Sequence, residues 1–121
     1  MRTGLAKAGW IALIVLNTLM LLNHVVATFA VAASADEGRM FIAYAVVNAL
    51  ALLVLFFAYC ARQRWAWVSI WLVVLATAVT IAYGIDTIGL IYISVAGVMA
   101  LAQLAMAREF FGAEPATAED R

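Results

Sequence analysis

Apolar residues fall into four long runs along the 121-residue chain, parted by three short polar breaks. The runs cover about 9–33, 40–60, 65–83 and 87–108, and no charged side chain lies in the interior of any of them. A helix rises about 1.5 Å per residue and the hydrocarbon core of a bilayer is about 30 Å thick, so about 20 apolar residues cross it. Each run therefore predicts a membrane-spanning helix. The breaks at 34–39, 61–64 and 84–86 hold the turn formers and most of the charge between the runs. Connections this short make successive helices antiparallel. The predicted fold is all-α, a polytopic membrane protein forming one antiparallel four-helix transmembrane bundle over residues 1–111. Gly112 and Pro115 stop the last helix. The stretch 112–121 reads as a disordered, acidic, cytoplasmic tail.

Composition strengthens the membrane expectation. Hydrophobic residues make up 69% of the chain and charged ones 12%. Soluble domains carry about 25% charged residues, and a small one hides only about 60–70% of its unfolded surface. The net charge of zero and the scattered basic residues argue against nucleic acid as a partner. Cys60 is the lone cysteine, so the chain has no internal disulfide, CxxC centre or thiolate cluster.

Charge also gives the bundle a direction. Arg2 and Lys7 precede the first run, Arg62 and Arg64 separate the second and third, and Arg108 and Arg121 follow the fourth. The opposite side has Arg39 with Asp36, Glu37 and Asp86. Lysine and arginine concentrate on the cytoplasmic side, which places both termini and the middle turn there. Trp10, Trp65, Trp67 and Trp71 cluster towards the same side, where indole rings favour the headgroup zone. The first run also imitates a secretory signal, with a basic start and Ala33-Ser34-Ala35 after it. A signal core is about 7–15 residues, which this run exceeds, so a retained span is the expectation.

Polar side chains inside the spans are the candidate chemistry. Counted inward from the outer ends, His24, Asn48, Thr77 and Ser94 lie at similar depth, one from each helix. At about 1.5 Å per residue that depth is roughly 9–14 Å. Tyr44 and Tyr83 come nearer the mouth, and together the six form a candidate outer-half polar pocket. A deeper layer contains Asn17, Ser69 and Gln103. Asn17, His24 and Thr28 share one stripe of the first helix, whereas Asn23 lies about 100° away and faces a different neighbour.

Two function classes fit these groups. In the first, the polar layers hold the bundle together by interhelical hydrogen bonds. The protein is then a non-enzymatic structural, accessory or oligomerising bundle. In the second, the His24 layer serves a small transporter, channel or ligand-binding bundle. His24 is the only imidazole; it could shuttle protons, but no second ligand sits at metal or haem spacing beside it. Two His24 residues would meet at a haem only in a symmetric dimer. Small residues at Ala45 and Ala49, Ala76 and Thr80, and Ala96 and Ala100 let helices approach closely. No acidic residue lies inside a span, and no phosphate loop, zinc motif or nucleophile elbow occurs. The expectation is therefore no enzyme, no catalytic residues and no cofactor or metal. The expected partners are the lipid bilayer and a homo-oligomer or larger membrane complex.

The turn Arg62-Gln63-Arg64-Trp65-Ala66-Trp67 resembles a pattern in uncharacterised small four-helix bacterial membrane proteins, loosely DoxX-like in layout. That resemblance implies a bacterial inner membrane and transfers no catalytic residue.

Overall fold

A computed structural model describes residues 4–112 of the chain. The tail assigned to 112–121 lies outside it apart from Gly112, and the side chain of Tyr83 is also outside the described residues. Four helices follow one another: α1 Gly4–Ala30, α2 Ala35–Phe56, α3 Arg64–Val79 and α4 Thr87–Phe111. A short 3-10 turn, Thr80–Tyr83, extends α3. The chain is an all-α bundle, and all four helices are long and apolar enough to cross a membrane.

The helix ends follow local chemistry. Ser34 caps α2 by accepting from Glu37 N–H at 3.2 Å, while the Glu37 carboxylate accepts from Ala33 N–H at 2.8 Å. This reciprocal cap ends the turn and starts the helix at once. Asp86 caps α4 in the same way, accepting from Gly89 N–H at 2.7 Å. At the other end of the bundle α2 stops at Phe56, short of the expected 60. Arg62 there adopts a φ of 55°, a left-handed turn conformation. The turn folds Ala58 and Tyr59 back into the core. Arg62 also pairs with Glu109 of α4 at 3.2 Å.

The packing places α1 against α2 and α4, and α3 against α4, with the α2–α3 seam the thinnest. Large apolar side chains such as Leu19, Phe29, Leu72 and Leu101 point outwards, while Asn17, His24, Asn48, Thr77 and Gln103 are buried. This inverts a water-soluble fold and suits a hydrocarbon solvent. Towards the Arg62 end α1 and α4 nearly touch: a Cβ on Gly9 would lie 2.9 Å from the Ala102 carbonyl oxygen. That close approach requires glycine. Towards the other end bulkier residues, Met20 and Tyr92 among them, line a groove between the same two helices.

Candidate functional site

His24 is the centre of the outer polar cluster. It sits on the buried stripe of α1, seven residues after Asn17, and is 1% exposed. Its Nε2 lies 2.8 Å from the hydroxyl of Tyr92 on α4. Its Nδ1 lies 3.3 Å from Nδ2 of Asn48 on α2. Asn48 Nδ2 is also 2.8 Å from the Tyr44 carbonyl oxygen. A carbonyl only accepts, so the Asn48 atom facing it is the NH₂. The second N–H of that group then donates to His24 Nδ1. With Nδ1 accepting, a neutral His24 carries its proton on Nε2 and donates to Tyr92. The Met20 carbonyl, one turn earlier on α1, also faces the ring and competes for a ring N–H.

Aromatic rings complete the floor. Tyr44 stacks on the imidazole with ring centroids 5.3 Å apart and planes 28° from parallel. Phe41 lies parallel-displaced at 6.5 Å. The Tyr44 hydroxyl has no hydrogen-bond partner among the described residues, and neither has the buried Asn48 Oδ1. Asn48, Thr77 and His24 surround a small void of about 20 Å³. Above it a larger cavity of about 390 Å³ opens between Met40, Phe41, Tyr44, Thr80, Asp86 and Tyr92. His24 forms part of its wall. The outer cluster is therefore the floor of a vestibule at the capped end of the bundle.

Three of the four depth-matched residues come together: His24, Asn48 and Thr77. Thr77 is buried and donates to the Val73 carbonyl of its own helix at 2.8 Å. Ser94 does not join them. It is exposed, with its hydroxyl on the Leu90 carbonyl at 2.8 Å. The buried stripe of α4 runs through Gly89, Ala96, Met99 and Gln103, and Ser94 lies two residues off it. Matching depth without matching azimuth misplaces it. Tyr44 belongs to the floor more than the mouth, and Tyr83 contributes backbone to the 3-10 turn.

The deeper residues do not form one hydrogen-bonded layer. Asn17 is fully buried and donates to Leu13 of its own helix at 2.8 Å. Ser69 is half-buried and donates to Trp65 at 2.9 Å. Gln103 instead locks α3 to α4: its Nε2 donates to the Trp67 carbonyl at 3.0 Å, and Trp67 Nε1 donates to the Gln103 carbonyl at 3.1 Å. The Tyr59 hydroxyl donates to Gln103 Oε1. Tyr59 and Tyr92 are the residues that depth counting passes over. Tyr92 was accessible through helical spacing, four before Ala96, whereas Tyr59 lies past the end of α2 and is brought into the core by the turn.

No family model, curated protein or solved structure matches the chain.

Proposed function

We propose that the protein is a non-enzymatic multi-pass membrane bundle that binds a small molecule in the vestibule floored by His24. The carrying observation is the cavity itself. A volume of about 390 Å³ with mostly apolar walls and a few convergent polar groups has the character of a ligand site. The ligand sits over the Tyr44–His24 stack and takes hydrogen bonds from phenolic groups at the floor.

The bundle is placed in a bacterial inner membrane with both termini cytoplasmic. Support comes from the basic residues at the Arg62 end, the acidic Asp36, Glu37 and Asp86 at the vestibule end, and the resemblance of the 62–67 turn. The lipid bilayer is its constant partner, and its apolar exterior also leaves room for a second copy or a larger complex.

One observation favours a second reading, in which the cluster is only a clasp. Both ring nitrogens of His24 already meet groups of the bundle, tying α1 to α2 and α4. A thermal-shift screen separates the two. Purified protein is heated with small uncharged alcohols and ketones, beginning with benzyl alcohol, beside Met40→Trp. Met40 is 45% exposed and lines the vestibule, so tryptophan there fills the cavity without entering the core. Binding predicts that at least one compound raises Tm in the native protein and not in Met40→Trp. No rise with any compound, or the same rise in both proteins, leaves the clasp as the function of the cluster.

A further inference from the structure

The vestibule has a side entrance. Between α1 and α4 runs a groove of about 390 Å³, open to the exterior of the bundle. Phe41, Ile88 and Tyr92 line both the groove and the vestibule, so the two spaces meet at a shared wall. Along α1 the groove extends from Leu16 to Val31. That is about 22 Å at 1.5 Å per residue, longer than the roughly 15 Å of hydrocarbon in one leaflet. Its walls are apolar except at one place. Asn23, exposed on α1, stands beside the Tyr92 hydroxyl in the groove wall.

An exposed asparagine in the middle of a spanning helix is costly in hydrocarbon. Here it continues the relay from the Tyr44 carbonyl through Asn48, His24 and Tyr92 to the groove. Whichever atom of Asn23 meets Tyr92, the pair keeps at least one N–H or O–H uncommitted. The Tyr44 hydroxyl offers another donor on the vestibule side. Neither space is lined by lysine or arginine, and the Asp86 carboxylate stands in the vestibule wall. An anionic headgroup would meet a carboxylate and no cation in a poorly solvated site. A neutral oxygen meets the N–H and O–H donors of Asn23, Tyr92 and Tyr44 without opposing charge.

Resting on the vestibule reading above, we infer that the ligand is an uncharged amphiphile that enters sideways from the surrounding leaflet. Its hydroxyl or carbonyl head lies at Asn23, Tyr92 and Tyr44, and its apolar chain lies in the α1–α4 groove. The close approach at Gly9 and Ala102 closes the groove at the Arg62 end, so the chain cannot run the full length of the bundle.

The test uses the full chain in nanodiscs of neutral phosphatidylcholine with a diazirine-bearing dodecanol. Crosslinks are mapped by mass spectrometry. They are expected on residues 16–31 of α1 and 88–95 of α4, and dodecanol competes while dodecyl phosphate does not. Ile91→Trp fills the groove from an exposed position, and Tyr92→Phe removes the central hydroxyl. Each is expected to reduce labelling roughly tenfold, the effect of one well-placed hydrogen bond or a blocked site. Equal labelling of native protein and both variants overturns the proposal. Equal competition by dodecyl phosphate overturns the uncharged head. A diazirine-bearing benzyl alcohol runs in parallel. If it labels Met40 and Thr80 while the long alcohol leaves the groove unlabelled, the side entrance is wrong and the vestibule stands. If neither probe labels, both fall.

Discussion

At the scale of single residues, two backbone carbonyls compete to set the tautomer of His24. Tyr44 O orients the Asn48 N–H towards Nδ1, which favours the proton on Nε2, whereas Met20 O accepts from a ring N–H. ¹⁵N NMR of labelled protein at neutral pH is expected to show the Nε2–H form, and a signal from the Nδ1–H form would contradict the relay. His24→Phe keeps an aromatic ring over Tyr44 but strands the Asn48 N–H and the Tyr92 hydroxyl. Hydrogen bonds between helices in membranes average about 0.6 kcal/mol and reach about 1.7. With two bonds lost, a destabilisation of about 1–3 kcal/mol is expected in mixed-micelle unfolding. Asn48→Leu added to it costs less than Asn48→Leu alone, because the partner is already gone. Strict additivity would mean that the two do not interact. The sequence exposes His24, Asn48 and Thr77 as buried polar groups because hydrocarbon makes any such group conspicuous. It hides Tyr92 because tyrosine is at home in several environments. It misplaces Ser94 because a hydroxyl can satisfy itself on its own helix, as Ser94 does on Leu90.

At the scale of elements, the question is why α1 and α4 touch at one end and part at the other. Gly9 faces the Ala102 carbonyl towards the Arg62 end, whereas Met20 and Tyr92 separate the helices towards the Asp86 end. Gly9→Leu is expected to force the helices apart at the Arg62 end and cost about 1–3 kcal/mol, as overpacking does in cores. Gly97→Ala is the matched control. A Cβ at Gly97 meets nothing within 4 Å, so alanine there should gain up to about 1 kcal/mol from helix propensity. Unfolding curves of the two variants moving in the same direction would refute the contact. Existence and type of all four helices were legible from run length alone. Their ends were less so, since apolarity continues past the helix at Phe57, Ala58 and Tyr59. There the backbone turns while Ala58 and Tyr59 still pack into the core, a case in which hydropathy and secondary structure part company. The caps at Ser34 and Asp86 carry the opposite lesson, because the polar residue and the helix start coincide.

At the scale of the whole molecule, the two ends of the bundle are built differently. The end with Arg62 is closed: Tyr59 lies over Gln103, Trp67 and Gln103 exchange bonds, and Arg62 pairs with Glu109. The end with Ser34 and Asp86 opens into the vestibule and the lateral groove. Under the proposed function, orientation matters, because the open end decides which leaflet and which compartment would supply the ligand. In the orientation proposed above, the end rich in lysine and arginine, which is the sealed one, faces the cytoplasm. Cys60 is exposed at that end, and it is the only cysteine in the chain. In intact cells a membrane-impermeant maleimide is therefore expected to leave Cys60 unlabelled until the membrane is permeabilised. In a Cys60→Ser background, Ala35→Cys at the opposite turn is expected to label from outside without permeabilisation. The pair controls for reactivity, because each thiol is exposed and only the side differs. The reverse pattern would turn the vestibule to the cytoplasm, and the amphiphile would then come from the inner leaflet.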